Sequence, residues 1–431
     1  MQNKLKLYRY SIPFQKPFRT AVSVFRRREG FILGDGDALW TEIAPLPGYS
    51  IETTDQVGSL LTQHHKEIEH HFNGQTLDEY LSSETCPELL SLFPSIKFGL
   101  SMLSEQQKAL LEGVPLYKYW INFSHGPGQK SSAKTFTTKD SSLQQPSRDK
   151  TNTVVQCNAI AGRKKRTALL QEIRVFLDAG FSTIKIKLPP QPEEALSLIK
   201  SVCIRFPQLM FRFDANGTFS LEQAAWLLKQ IRTYQHPPAH LHNIDYIEEP
   251  AGNISPEEFA ALHRLSPVRL AADESARTPY QARTLLNHHA VDVIVLKPML
   301  FGSFLEMANL RDAFGSTLTR DISDSDSPSS PQLIPAEITI TVSSSIETGI
   351  GRALLAHLAC FLDTSGMTHH GLATGKLLNG DIAPNNHSHR TSASDNHASP
   401  VYPLSSQAGI GIRPDIRQPS FIKPAFTGSD T

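Results

Sequence analysis

The chain has 431 residues, with 42 basic and 42 acidic side chains, so its formal net charge at neutral pH is zero. This length exceeds the usual size of one domain and predicts two units, or one large barrel with an attached lobe. The balanced charge gives no electrostatic reason to expect a nucleic acid or an anionic membrane as partner, so a small molecule is the expected partner.

The amino-terminal segment and the cysteines indicate a soluble protein of the cytoplasm. Residues 1–14 lack the apolar stretch and the cleavage site of a signal peptide, and no run of eighteen apolar residues occurs. The cysteines lie far apart without a zinc-binding spacing: Cys86, Cys157, Cys203 and Cys360. Isolated thiols are typical of a reducing compartment.

The first 122 residues are predicted to form an α+β capping domain. From Leu5 to about Glu52, apolar and polar residues alternate, which is typical of a small antiparallel sheet. From Thr54 to about Glu112, apolar residues recur every three or four positions, which predicts helices. Residues 123–152 are rich in Ser, Thr, Lys and Gln, and we interpret them as a polar insertion.

Residues 153–384 are predicted to form a TIM-like (β/α)7β barrel, the catalytic domain. Short β-rich runs alternate there with helical runs. The predicted strands are Val154–Ile160, Thr183–Leu188, Phe211–Asn216, Asp245–Pro250, Leu270–Ser275, Val291–Leu300, Ile338–Ser345 and Gly371–Leu377. The polar stretches Ser323–Pro331 and 385–404 are predicted to be disordered insertions. Residues near 405–431 are expected to close the first unit, through a strand at Gln407–Arg413.

Charged residues end five consecutive predicted strands of this barrel. In order along the chain they are Lys185 and Lys187, Asp214, Glu248, Asp273 and Lys297. From Lys187 onward they are separated by 27, 34, 25 and 24 positions, each close to one strand and helix. Active sites of such barrels lie at the carboxyl ends of the strands, so we expect these side chains to converge. Because side chains alternate along a strand, both lysines can face the barrel mouth.

Three carboxylates in a confined site repel one another unless a cation lies between them. An all-oxygen ligand set suits Mg²⁺, and Mn²⁺ is expected to substitute for it. A single Asp or Glu at a strand end is more often a helix cap or a partner in a surface ion pair. The ordered set of Asp214, Glu248 and Asp273 therefore predicts a metal site more strongly than any one member does.

The strand-end segments resemble the catalytic set of the enolase superfamily, muconate-lactonizing-enzyme subgroup. The matching segments read TIKIKL, FRFDANG, YIEEP, LAADES and VLKPML. Four further segments, REGFIL, WTEIAPLPGYSIET, PSIKFGLSM and SSSIETGIG, resemble the o-succinylbenzoate synthases, the dehydratases of menaquinone biosynthesis. One departure from that family is Thr41, where a glycine is expected.

The resemblance implies a role for each residue. Asp214, Glu248 and Asp273 hold the metal. Lys187 is the general base and later the acid, Lys185 is a neighbouring cation, and Lys297 stabilises the enediolate from the opposite side. Substrate contacts are expected at Arg212, Asn216, Ser343 and Gly371, with the last two near the succinyl end, and a loop near 19–23 is expected to close the site.

The implied reaction is the dehydration of 2-succinyl-6-hydroxy-2,4-cyclohexadiene-1-carboxylate to o-succinylbenzoate. An N-succinylamino acid racemase or a dipeptide epimerase would use the same residues, with Lys187 and Lys297 as opposed bases. The predicted eighth strand carries no carboxylate that could pair with a dipeptide ammonium, which disfavours the epimerase. A third alternative is a binding protein that has lost catalysis, but no member of the set is missing. The sequence leaves the oligomeric state open.

Overall fold

The computed structural model describes residues 4–19, 24–123, 154–162, 164–234, 241–317, 338–363, 365–383, 400–418 and 420–425. Most of the three predicted polar insertions, at 123–152, Ser323–Pro331 and 385–404, lies outside these residues. So does most of the predicted lid loop near 19–23. The end of the third insertion is described, and the prediction of disorder is wrong there, because Val401–Pro403 forms a strand. Predictions about the rest of these segments, and the exact domain boundaries, stay predictions.

An antiparallel sheet of four strands begins the first unit, as the alternating pattern predicted. Its strands are β1 (Lys6–Arg19), β2 (Val24–Gly34), β3 (Trp40–Ile43) and, from the end of the chain, β13 (Ile422–Pro424). The order across the sheet is β13-β1-β2-β3. The carboxyl-terminal strand therefore returns to the first unit, with Tyr8 opposite Pro424. The predicted strand at Gln407–Arg413 is wrong: this segment makes a single bridge, between Gly409 and Pro115.

Six helices follow the sheet within the part of the first unit that the structure describes. They are α1 (Thr54–Gln63), α2 (His65–Asn73), α3 (Leu77–Leu81), α4 (Glu88–Leu92), α5 (Pro94–Leu111) and α6 (Leu116–Phe123). Helix α1 begins at a capping box, in which the Thr53 side chain accepts from the Gln56 N–H and the Gln56 side chain accepts in return. This confirms the helical pattern predicted for the segment.

Seven parallel strands form the curved sheet of the second unit. In order across the sheet they are β5 (Ala159–Ala161), β6 (Thr183–Lys187), β7 (Met210–Asp214), β8 (Ile244–Glu248), β9 (Arg269–Ala272), β10 (Val293–Leu296) and β11 (Thr339–Val342). The helices between and after them are α7 (Arg166–Asp178), α8 (Pro192–Arg205), α9 (Leu221–Thr233), α10 (Pro256–Leu265), α11 (Pro279–Asn287), α12 (Pro298–Phe301), α13 (Phe304–Thr317) and α14 (Gly349–Leu362). This is the predicted barrel architecture.

The eighth position of the barrel is occupied by two residues and not by the predicted strand Gly371–Leu377. His370 pairs with Cys157 beside β5, and Gly371 pairs with Ser343 beside β11, both in parallel, so these bridges connect the two edges of the sheet. The backbone then turns, because the Thr374 N–H donates to the Leu372 carbonyl, and a 3-10 turn follows at Gly375–Leu377.

Six other strand predictions extended beyond the observed carboxyl end, by one to four residues. The run Leu270–Ser275, for example, ends at Ala272, and the run Ile338–Ser345 ends at Val342. The run Val291–Leu300 ends as a strand at Leu296, because Pro298 has no N–H for a ladder and a fixed φ that suits the first turn of α12. The run Val154–Ile160 is divided into two short strands. Its first part is β4 (Val154–Gln156), which pairs with β12 (Val401–Pro403) in a separate two-stranded sheet.

One hydrophobic cluster extends across both units, and the first unit has a second cluster of its own. The cluster that contains barrel residues such as Phe211 and Leu296 also contains Tyr10, Trp40 and Phe98 of the first unit. At this junction Trp120 stacks on Phe304, with ring centroids 4.5 Å apart. Burial of apolar surface therefore holds the first unit against the barrel. No helix among the described residues combines the length and the apolar composition needed to span a bilayer.

Candidate active site

All the charged residues predicted at strand ends come together at the carboxyl edge of the parallel sheet. Lys187 of β6 lies opposite Asp214 of β7, and Asp214 lies opposite Glu248 of β8. Asp273 directly follows β9, and Lys297 directly follows β10. The parallel register thus converts the regular spacing in sequence into proximity in space.

Lysine and carboxylate groups alternate within this cluster. Lys185 Nζ donates to Glu248 Oε1 at 2.6 Å and lies 3.1 Å from Asp214 Oδ2. Lys297 Nζ donates to Asp273 Oδ2. The side chains of Lys185 and Lys297 are only 14% and 18% exposed, whereas that of Lys187 is 41% exposed. Lys187 is therefore the most accessible amine of the three.

Lys187 is also the lysine that is not bound directly to a carboxylate. Its Nζ donates to Asn216 Oδ1 at 2.9 Å and lies 4.0 Å from Asp214 Oδ2. Asn216 has a φ of 49°, in the left-handed region that Asn tolerates better than most residues, and its N–H donates to Asp214 Oδ1. The tight turn after β7 therefore connects the amine of Lys187 with the carboxylate of Asp214.

The buried charges alter one another's proton affinity. Burial lowers the pKa of Lys185, but the three surrounding carboxylates outweigh burial and hold that pKa well above its ordinary value. Burial also lowers the pKa of Lys297, and Asp273 raises it to above its ordinary value. Burial raises the pKa of Asp273, but Lys297 and Lys185 lower it to below the ordinary value. Both buried lysines are therefore held as cations.

The three carboxylates form an oxygen donor set that fits a hard dication such as Mg²⁺. All three are buried, and Glu248 Oε2 has no hydrogen-bond partner among the described residues, so one acceptor of the site is uncompensated there. Within the described residues, no three His, Cys, Asp or Glu side chains already stand in a metal-coordinating arrangement. The carboxylates of Asp214, Glu248 and Asp273 contact lysines in this structure. These three residues are the ones that could hold a metal.

Arg212 lies deeper in the barrel than Asp214, because it precedes Asp214 by two residues on β7. Its guanidinium donates to Asp245 Oδ2 at 2.8 Å, to Asn158 Oδ1 at 3.0 Å and to the His369 carbonyl, and it stacks over the Tyr246 ring. These contacts connect β7 to β8 and to the segments at Asn158 and His369. A direct contact between Arg212 and a substrate stays a prediction.

Ser343 and Gly371 lie side by side on the opposite part of the rim. The Ser343 N–H donates to the Leu296 carbonyl at 2.8 Å, next to Lys297, and the Gly371 N–H donates to the Val342 carbonyl at 2.8 Å. A Cβ at position 371 would lie 2.9 Å from Ser343 Oγ, so a larger residue there would displace the Ser343 hydroxyl. Their contact with a substrate also stays a prediction.

Glu249 supports the site and was not predicted from the sequence. Its carboxylate accepts from the Asp273 N–H at 3.0 Å, the Ser275 N–H at 3.2 Å and the Ser275 hydroxyl. Burial raises the pKa of Glu249 to about 7. The second Glu of the YIEEP segment was the available signal, but its role depends on a φ of 43° that turns its side chain away from that of Glu248.

Two family models match the chain. The Enolase C-terminal domain-like family matches residues 168–319, and the MenC N-terminal domain family matches residues 2–107. The o-succinylbenzoate synthase of Pasteurella multocida is 25% identical over 371 residues, which cover 83% of this chain and 86% of the relative. The chain thus resembles the enolase superfamily in both units.

Solved structures of the same fold include dipeptide epimerases. The L-Ala-D/L-Glu epimerase from Bacillus subtilis superposes with a TM-score of 0.69 at 18% identity, covering 95% of this chain and 97% of that one. The dipeptide epimerase from Enterococcus faecalis, complexed with Mg and the dipeptide L-Leu-L-Tyr, also has a TM-score of 0.69 at 18% identity, covering 95% and 99%. At these identities the likeness concerns the fold.

We expect Glu249→Ala to weaken Mn²⁺ binding by about 10- to 100-fold, because Asp273 loses the acceptor that fixes its backbone. Electron paramagnetic resonance of free Mn²⁺ measures this affinity. The matched control is Glu257→Ala, which removes a 67% exposed glutamate from α10 and should leave the affinity unchanged. Equal affinities in the two variants would contradict a supporting role for Glu249.

Proposed function

We propose that this chain, an enolase-superfamily enzyme by the two family models that it matches, is an o-succinylbenzoate synthase. It would convert 2-succinyl-6-hydroxy-2,4-cyclohexadiene-1-carboxylate to o-succinylbenzoate and water, a step of menaquinone biosynthesis. The observation that carries the proposal is the convergence of three carboxylates and three lysines on one rim of the barrel. The likeness to curated o-succinylbenzoate synthases supports the choice of substrate.

We propose Asp214, Glu248 and Asp273 as ligands of Mg²⁺, with Mn²⁺ as a substitute. The donor set and the uncompensated Glu248 Oε2 support this assignment. A bound dication supplies positive charge near the substrate carboxylate, where negative charge grows as the proton α to it is removed. When the metal binds, Lys185 remains a buried cation beside Asp214 and Glu248.

Lys187 is the proposed base. Its exposed amine can reach a substrate at the barrel mouth, whereas Lys185 and Lys297 are engaged with carboxylates. In the proposed reaction Lys187 takes the proton from C1, and the C1–H electron pair forms a double bond to the carboxylate carbon, which gives an enediolate with negative charge on both carboxylate oxygens. Lys187 then returns the proton to the C6 hydroxyl as the C6–O bond breaks, so the ring becomes aromatic and water leaves.

Lys297 is the proposed electrostatic partner on the other side of the ring. Its ion pair with Asp273 keeps it cationic, so it can stabilise the negative charge of the enediolate without exchanging a proton. A racemase would need Lys297 to act as a second base, deprotonated in one direction of the reaction. The ion pair places Lys297 in the protonation state that dehydration requires.

Racemisation of N-succinylamino acids is the second candidate function, since their nitrogen is neutral and their succinyl arm matches that of the dehydratase substrate. The solved epimerase structures have the same fold, so racemisation is the alternative reaction to be tested. A dipeptide substrate is less suitable, because its free ammonium requires a carboxylate partner in a confined site. Residues 370–376, at the eighth position of the barrel, read HGLATGK and contain no carboxylate.

Lys187→Ala should lower kcat for dehydration by about 10²- to 10⁴-fold, because one amine supplies both proton transfers. Circular dichroism should show an unchanged fold, since the side chain lies at the rim. The control is Lys229→Ala, which removes an exposed lysine of α9 and should leave kcat unchanged. If the Lys187→Ala enzyme retains a large part of the wild-type kcat, another residue must be the base.

Dehydration should exceed racemisation of N-succinylamino acids by orders of magnitude in kcat/KM. Steady-state assays on both substrates compare the two activities directly, and proton exchange in D₂O, followed by NMR, detects deprotonation of the amino acid without inversion. Faster racemisation than dehydration would overturn the proposed function and leave the superfamily assignment standing.

A further inference from the structure

β11 is the seventh parallel strand of the barrel, and the backbone that follows it, Ser343–Thr348, is here called the strand-seven loop. The barrel holds this loop on one side. Ser343 pairs with Gly371, and the Ser344 N–H donates to the Gly371 carbonyl at 3.0 Å. The Ser344 hydroxyl lies 2.8 Å from that of Thr374. These contacts fix the beginning of the loop at the rim of the candidate active site.

The middle of the loop has an unfavourable backbone conformation. Ile346 has a φ of 66°, which is rare and unfavourable for a β-branched residue. Such a conformation persists only where the surroundings enforce it. One constraint is local, since the Ile346 N–H donates to the Ser344 hydroxyl at 2.9 Å.

A second constraint on Ile346 comes from the first unit. Arg28 of β2 is 1% exposed, and its Nε donates to the Ile346 carbonyl at 3.1 Å. The rest of its guanidinium donates to the carbonyls of Glu29, Ala44 and Pro45 at 3.0, 2.7 and 2.7 Å. One buried arginine therefore binds the strained loop to the strand β2 and to the segment after β3.

Glu42 of β3 holds the end of the loop in the same way. Its fully buried carboxylate accepts from the Thr348 N–H at 3.1 Å, the Thr348 hydroxyl and the Gly351 N–H at 2.9 Å. These N–H groups belong to the first turn of α14, where an anion is favourable. A Cβ at position 351 would lie 2.7 Å from Glu42 Oε2, so the glycine permits this approach.

Tyr10 of β1 completes this arrangement, because its hydroxyl donates to Glu42 Oε1 at 2.6 Å. Among the described residues, the carboxylate thus has one donor from its own unit and three donors from the barrel. Glu42 and Arg28 together bind both the middle and the end of the strand-seven loop, whereas the lysines and carboxylates of the chemistry lie on β6 to β10.

We propose that Arg28 and Glu42 are positioning residues, through which the first unit holds the strand-seven loop in the conformation that receives the succinyl arm of the substrate. The choice of that arm rests on the proposed function. Because the proton-transferring groups lie on other strands, a loosened loop should impair recognition of the arm and leave proton transfer nearly intact.

The test compares two buried glutamates that both accept from N–H groups at a helix start. Glu42→Gln weakens the contact between the units. The matched control, Glu52→Gln, alters a 2% exposed carboxylate that accepts from the Ser95 N–H at 3.0 Å, in the first turn of α5, entirely within the first unit. Arg28→Lys is a second test variant and serves in place of Glu42→Gln if that protein does not fold.

Each protein is assayed with the full dehydratase substrate and with 6-hydroxy-2,4-cyclohexadiene-1-carboxylate, which lacks the succinyl arm. For Glu42→Gln we expect kcat/KM on the full substrate to fall at least about tenfold, mainly because KM rises. On the short substrate, kcat/KM should change less than about twofold. Glu52→Gln should change kcat/KM by the same factor on both substrates. Equal losses on both substrates in Glu42→Gln would mean a merely structural role and would overturn the proposal.

Amide hydrogen exchange, followed by mass spectrometry, separates this proposal from the proposed function. Residues 343–351 should exchange faster in Glu42→Gln than in Glu52→Gln, while residues 183–187 of β6 exchange equally in both. If the wild type turns over neither substrate, the proposed function fails, and the exchange data still decide whether Glu42 holds the loop. Unchanged exchange at residues 343–351 would overturn the positioning role.

Discussion

The structure depends on one electrostatic constraint, the burial of three carboxylates on adjacent strands. Two like charges about 4 Å apart repel by about 4 kcal/mol at an effective dielectric constant of about 20, so such a group is stable only with cations close by. Lys185 and Lys297 supply two of them and are held in the charged state by the carboxylates. The demand for further positive charge makes this rim suited to a dication, and a bound dication would in turn attract an anionic substrate.

The two units contribute differently to the candidate site. The strands β6 to β10 carry the ionisable groups, and their positions follow from the parallel register of the sheet. The first unit contacts the rim where β11 ends, through Arg28 and Glu42, and shares the barrel's hydrophobic core. In the proposed account, proton transfer belongs to the barrel alone, and recognition of the substrate arm requires both units.

The sequence was sufficient to predict the charged cluster, because regular spacing along a barrel implies proximity. It could not predict the eighth position, where only His370 and Gly371 pair before a turn in a segment that reads as a strand. Glu249 was missed because a left-handed φ directs its side chain. Arg28 and Glu42 were missed as positioning residues because their partners lie more than 300 residues away in the chain.

The most direct test of the central claim is turnover of 2-succinyl-6-hydroxy-2,4-cyclohexadiene-1-carboxylate by the purified protein, after removal of metals with EDTA and again after addition of Mg²⁺ or Mn²⁺. The account predicts no measurable o-succinylbenzoate from the metal-free protein and recovery of turnover when either ion is added, because the lysines alone cannot balance both the carboxylates and the enediolate. Full turnover in a sample verified to be free of metal would contradict the assignment of Asp214, Glu248 and Asp273.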